Sequence, residues 1–426
     1  MARASVLAKQ LIPPSMSLGE EGANFLVSKF PQFNTLQDVY KALARAHCGF
    51  AISQPPAARS REKKIDMLLE QAFFPTGVEL EGGLRLLSAI EMTTQARGND
   101  LVEINQHYAQ VSFNSQTHAY SLAQAQSFAP YRRWIVVCAP ISMLVEKLLY
   151  ALRSLLGPLH RHESVVRHYK YGDILQETAD VKQIPLLIVQ MPTRATESGL
   201  YFSVLNALIP FVGEASIERE GLRRRRLESY VPTLVRALLS LHVGAIAIVG
   251  MREIHAQPLN LPYFYAALEW LAASGIAIFL CTSPALLSLE DAGLSPLRHT
   301  TESPIIDDTY ADADLPQLAT HWWALLDRTE KPPDAMVHMI SNVNAQRDLI
   351  LMLYRQLNYD LNVRKQSVDK ALKNLEARAC WSHSRQIELW KMPVIPYKDS
   401  LIYRDWMPLS TPIARPPRES RRRHRS

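Results

Sequence analysis

Four short apolar runs, each bounded by turn residues, constrain this chain more than any other feature. They are Trp134–Cys138 (WIVVC), Ile184–Gln190 (IPLLIVQ), Val243–Val249 (VGAIAIV) and Gly275–Cys281 (GIAIFLC). A strand with one wet face alternates apolar and polar residues, whereas an uninterrupted apolar run is covered on both faces. Helical stretches at Ser142–Leu156, Gly199–Val212, Leu227–Leu241 and Pro262–Ser274 separate them into repeated strand–helix–strand units. Such units predict an α/β fold with a parallel sheet layered between helices. Helical runs at Arg61–Phe74 and Gly77–Gln95 precede the first strand. After Asp307 only helical periods remain (Leu315–Asp327, Asp334–Gln346, Leu349–Leu357, Gln366–Ala379), which predicts a small helical domain behind the core.

This divides the chain into an N-terminal extension (1–75), an α/β core (76–306), a helical domain (307–390) and a Pro/Arg-rich tail (391–426). Residues 1–60 mix short apolar segments with Pro13, Pro14, Pro31, Pro55 and Pro56, and are expected to be loosely built. With 47% hydrophobic and 21% charged residues the chain is not a mostly disordered one. Of the net charge of +6, residues 415–426 carry +5, so a near-neutral body bears a basic tail. Cys48, Cys138, Cys281 and Cys380 form no CxxC pair and read as free thiols of a reducing cytoplasm. The first residues lack the apolar run of a secretory signal. Trp270–Leu289 is twenty residues without a charge, but Gly275 and Pro284 interrupt it and acidic residues flank it. A helix end, a buried strand and a turn explain it better than a membrane span.

Common catalytic signatures are absent from the sequence: it has no GxSxG elbow, no HExxH and no Gly-rich dinucleotide turn. His160, His162 and His168 cluster around Glu163, but their spacing fits no common zinc pattern and arginines flank them. Trp322 and Trp323 read as core residues of the helical domain.

Three ordered phrases carry a family resemblance. IPLLIVQMPTRATESGLYFSVLNAL (Ile184–Leu208) is similar to a second core strand, a short polar turn and the next helix of the TnsC/TniB transposition regulators, a branch of the AAA+ ATPases. LLSLHVGAIAIVGMREIH (Leu238–His255) resembles their His-x-Gly, apolar strand and Asp-Glu-Ile-Gln segment. ASGIAIFLCTSPALLSL (Ala273–Leu289) resembles their sensor strand, with Thr282 at the sensor position. The likeness spans about residues 75–385 and implies a P-loop NTPase-like parallel core with a C-terminal helical lid. It also implies an oligomer on double-stranded DNA that links a DDE-type transposase to a target-selecting protein.

A P-loop works because glycines let backbone N–H groups wrap phosphate oxygens while a Lys and a Ser/Thr reach the terminal phosphate and Mg²⁺. The turn after WIVVC has none of these parts. The glycines are missing from Cys138-Ala139-Pro140-Ile141-Ser142, Pro140 removes an amide donor, Val145 stands in the lysine position and Glu146 in the Ser/Thr position. Lys147 comes two positions late, about 200° further round the helix. In the Asp-Glu segment, one alignment places Val249 and Gly250 there; the other replaces the Asp by Arg252 and keeps only Glu253. Neither supplies an aspartate for a magnesium shell. The sequence therefore predicts a degenerate nucleotide site, no ATP or Mg²⁺ cofactor and no catalytic residues. Two other readings stay open: an α/β protein that never bound nucleotide, and an unorthodox but working ATPase.

Arg223, Arg224, Arg225 and Arg226 form a run between two helices, and in the resembled family that segment lies near DNA-facing surfaces. Four adjacent guanidinium groups suit successive phosphates. In the tail, Arg421, Arg422 and Arg423 read as part of a flexible arm for nucleic acid, without interleaved aromatics for base readout. A solvated loop, an acidic protein partner or a solubilising terminus would produce the same runs. Arg298 follows the sensor strand where the family places a trans-acting arginine. The expectation from sequence is thus an ATPase-deficient, DNA-associated adaptor. The alternative is a protein-interaction scaffold unrelated to transposition.

Overall fold

The computed structural model describes residues 24–33, 35–50, 65, 73–75, 77–98, 104–109, 132–138, 142–168, 174–213, 230–252, 255–256, 260–282, 284–287, 289, 294–306, 315–326, 331–342 and 347–375. Its elements in chain order begin with α1 (Leu36–Phe50), α2 (Gly77–Gln95), β1 (Trp134–Cys138) and α3 (Ser142–Leu156). Next come β2 (His160–His168), β3 (Ile174–Gln183), β4 (Leu186–Gln190), α4 (Glu197–Val212), α5 (Tyr230–Ser240) and β5 (Ala245–Met251). Then follow α6 (Leu261–Ala273), β6 (Ala277–Thr282), the short α7 (Pro284–Leu287) and a 3₁₀ turn at Pro296–His299. Finally come the two-residue β7 (Ile305–Ile306), α8 (Leu315–Leu325), α9 (Asp334–Asn342) and α10 (Arg347–Asn358), the last continued by a π-helical turn over Tyr359–Val363.

The expected α/β architecture is present. Five parallel strands form one sheet in the order β4-β5-β6-β1-β7. Alternate residues of each strand enter opposite cores. Trp134, Val136, Leu187, Val189, Ile246, Ile248, Ile278 and Leu280 face α4, α5 and α6. Ile135, Val137, Leu186, Ile188, Ala247, Val249, Phe279 and Cys281 face α1, α2 and α3. That double burial is why the strands read as unbroken apolar runs.

Two regions differ from the sequence expectation. Residues 24–50, read as part of a loose extension, are packed: Leu26, Val39 and Leu43 are buried, and Asn24 Nδ2 donates to Thr94 O at 3.1 Å. Between α3 and β4 the chain forms an antiparallel β2–β3 hairpin that the sequence reading missed. Gln183 ties it inward, donating to Leu26 O at 2.9 Å.

At the amino end of the sheet Arg97, just past α2, is buried and acts as a staple. Its Nε donates to Gly275 O at 3.0 Å, and its Nη2 donates to Gly275 O at 2.6 Å and to Val243 O. The turns before β5 and β6 are thereby fixed by one guanidinium.

The described residues between 315 and 375 are helical as expected, ending in a last helix at 368–375. Trp322 and Trp323 are buried in its core with Met336, Tyr354 and Leu357, which leaves neither indole for base stacking. The stretch Trp270–Leu289 is the end of α6, strand β6 and α7, and among the described residues no helix is long and apolar enough to cross a membrane. The sequence-predicted helix Arg61–Phe74 lies outside the described residues except for Ile65, Phe73 and Phe74.

Candidate functional site

In an open parallel sheet, ligands bind outside the carboxyl ends of the strands where the crossovers part to opposite faces. Here that place is set by β1 and its neighbour β6. After β1 the chain passes to the Phe279 face as α3, whose Leu148, Leu149 and Leu152 are buried there. After β6 it passes to the opposite face, where Leu286 and Leu294 are buried beside α6. The crevice between β1 and β6 is also where the sequence reading placed the degenerate nucleotide site.

Register puts three residues level across the strand ends: Cys138 pairs with Thr282, and Thr282 pairs with Met251. All three are buried. None is acidic, so this row offers no carboxylate to a metal ion. β5 reaches that level through a bulge between Ile248 and Met251. Gly250 sits in the bulge at φ +84°, a left-handed conformation that side chains with a Cβ rarely adopt. The extra residue carries β5 past Val249 to Met251 and makes Arg252 the first residue beyond the strand. Arg252 is then held in a turn: its N–H donates to His255 Nδ1 at 3.0 Å, and the His255 N–H donates to Arg252 O at 2.9 Å.

Glu146 enters from the other side of the crevice. It lies one turn into α3, three residues before the fully buried Leu149, and so shares its sheet-facing side. Loss of water contact raises the Glu146 pKa, and the positive charge of Arg252 partly opposes that rise. Burial pushes the Cys281 thiol far up, with a further upward push from the Glu146 charge. The Glu146 charge is thus felt at the end of β6, and the Arg252 charge is felt at Glu146.

The remaining predicted residues divide. Thr282 ends β6 as expected, and Lys147 is half-buried beside Glu146 on α3. Ala139 and Glu253 lie outside the described residues, as do the side chains of Ser142 and Val145. So do Arg223, Arg224, Arg225, Arg226, Arg421, Arg422 and Arg423, on which the DNA reading rests. Of the histidine cluster, His160 Nε2 is bonded to Leu156 O at 2.5 Å and His162 Nε2 to Gln183 Oε1 at 2.9 Å. Burial lowers both pKa values. They are structural residues of the hairpin; the side chain of His168 is outside the described residues. Arg298 is exposed on the 3₁₀ turn, which His299 anchors by stacking on Trp134 at 5.3 Å and bonding Glu269 at 2.5 Å.

The influence of the Arg252 charge on Glu146 was not foreseen by sequence reasoning, which took each as a separate loss.

No family model matches the chain, and no curated protein is significantly similar to it.

Proposed function

We propose that this chain is a TnsC/TniB-like accessory protein of bacterial DNA transposition that has lost ATP hydrolysis. In this reading it assembles as an oligomer on double-stranded DNA and acts as an adaptor between a transposase and a target selector. The observation that supports it best is the crevice at β1 and β6. β1, after which the sequence has the degenerate turn, lies beside β6, which ends in Thr282, at the switch point of a parallel sheet, and helices follow the sheet along the chain. The phrases that carry the resemblance fall on β4–α4, on α5–β5 and on β6–α7, in the order the family would have them. With Glu146 and Arg252 in the metal-holding positions, assembly would not be switched by nucleotide turnover, and the protein would act as a constitutive adaptor.

The experiment is a DNA-binding titration in rising salt. Each phosphate contact adds about 0.9 to the slope of log affinity against log salt, so replacing Arg223–Arg226 by alanine is expected to flatten it by up to about 3.6. An unchanged slope removes the DNA assignment of that run. ATP hydrolysis that disappears in Glu253→Gln would refute the loss of catalysis.

A protein-interaction scaffold unrelated to transposition is the second reading. It is favoured by Tyr263, 70% exposed near the start of α6, on the layer that also exposes Phe202. Binding to DNA that is indifferent to salt and to the arginine run would decide for it.

A further inference from the structure

Helices α4 and α6 follow neighbouring parallel strands, so they run in the same direction, and they touch each other over one face of the sheet. Each carries a single charged residue, Glu197 in ESGLYFSVLNALIPFV and Glu269 in LPYFYAALEWLAA. Glu269 is already engaged by His299 at 2.5 Å and by Arg132 at 3.2 Å. A helix that borders water on one side turns a charged stripe towards it, whereas one that is apolar all round is covered all round. The inner sides of both helices are covered by the sheet, through Leu200, Val204, Phe264 and Leu268. The outer sides are open. Phe202, Asn206 and Pro210 are exposed at four-residue steps along α4, and Pro262, Tyr263 and Ala266 are exposed on α6.

We propose that this outer face docks a second copy of the chain, related to the first by a twofold axis that passes at Asn206. Charge narrows the choice of partner. Nucleic acid is gripped through its phosphates by guanidinium and ammonium groups, and the six exposed positions have none. The same lack of charge lets the face meet its own copy without like-charge repulsion. Asn206 then selects the copy over a foreign apolar surface. It stands in the middle of the α4 stripe, with an apolar residue one turn away on either side. A carboxamide carries donors and an acceptor together, so on a twofold axis it is matched by the same residue of the second copy. Against a purely apolar partner it would be buried unpaired, at a cost. One asparagine in an otherwise apolar helix contact is also a device that fixes register. This dimer needs neither DNA nor nucleotide and stands apart from the adaptor reading.

The test is sedimentation equilibrium of the full chain, freed of nucleic acid, as native protein, Asn206→Asp, Asn206→Lys and an equimolar mixture of the two variants. The native chain is expected to show a monomer–dimer equilibrium. Each variant alone sets like charges against each other at the axis and is expected to weaken the dimer by at least about tenfold, and the mixture to restore it. A defect in folding would weaken the variants and their mixture alike, and exposure of position 206 predicts unchanged thermal midpoints. Tyr263→Ser, which adds no charge, should weaken the native dimer by about tenfold. A native chain that stays monomeric at every soluble concentration overturns the proposal. So does association that continues past two, a dimer that the variants leave intact, or a mixture no tighter than its components. Because nucleic acid is absent, each of these failures leaves the adaptor reading untouched.

Discussion

Among the described residues, His242 in the turn before β5 is the one through which acidification should destabilise this protein most. It is buried, its Nδ1 accepts from Tyr108 Oη at 2.7 Å, and its backbone has a positive φ of 46°. Burial, then the charges of Arg97 and His162, lower its pKa from 6.5 to about 3. The unfolded chain takes up a proton near pH 6.5 and the folded chain does not until about pH 3. Between those values the unfolded state binds more protons, so stability is complete above pH 6.5 and is lost as pH falls. At about 1.36 kcal/mol per pH unit the whole interval is worth about 5 kcal/mol, and the step from 6.5 to 5 about 2 kcal/mol. Domains of ordinary stability have only about 5–15 kcal/mol to lose. His107, His160, His162 and His321 also have lowered pKa values and add to the slope, so the measurement is a difference. Asparagine tolerates the left-handed backbone and does not titrate, which makes His242→Asn the right comparison. Denaturant unfolding at pH 7.5 and pH 5 should show the native chain losing about 2 kcal/mol more than the variant. Equal losses would refute the assignment, because then no proton uptake at position 242 opposes folding.

Three further perturbations test the framework that positions the crevice. Arg97→Met removes the staple between α2 and the β5 and β6 turns, and should lower unfolding stability by about 3 kcal/mol, since Gly275 O and Val243 O lose a charged donor. Gly244→Ala would place a Cβ 2.6 Å from Pro185 O and 3.1 Å from Ile90 Cγ2, too close for either to stay put. A loss of about 1–3 kcal/mol and a lower thermal midpoint are expected. In Thr196→Ala the first turn of α4 loses the hydroxyl that accepts from the Gly199 N–H at 3.0 Å, and chemical denaturation should show about 1 kcal/mol of lost stability.

Local chemistry by itself determined the four long strands of the parallel sheet and most helices. Trp134–Cys138, Ser142–Leu156 and Gly77–Gln95 coincide with their elements, and the other core strands begin two residues later than their apolar runs. These segments are legible because burial on both faces leaves no polar residue within reach of water, a property written in consecutive residues. The β2–β3 hairpin was illegible for the converse reason: HRHESVVRH and ILQETADVKQ are mostly polar, with no apolar run to mark a strand. α1 was hidden by the prolines around it, and its Val39 and Leu43 became core only because α2 and α3 lie beside them. Sequence also picked out the turn after β1 and the end of β5 as parts of one candidate site, but not the influence of Arg252 on Glu146. Strand order is set by which sheet edge each crossover reaches, and the Arg252 charge is felt at Glu146 because β6 lies between β1 and β5 and a one-residue bulge carries the chain past Gly250. An interaction between groups a hundred residues apart depends on the geometry of every element between them, and no local pattern records it.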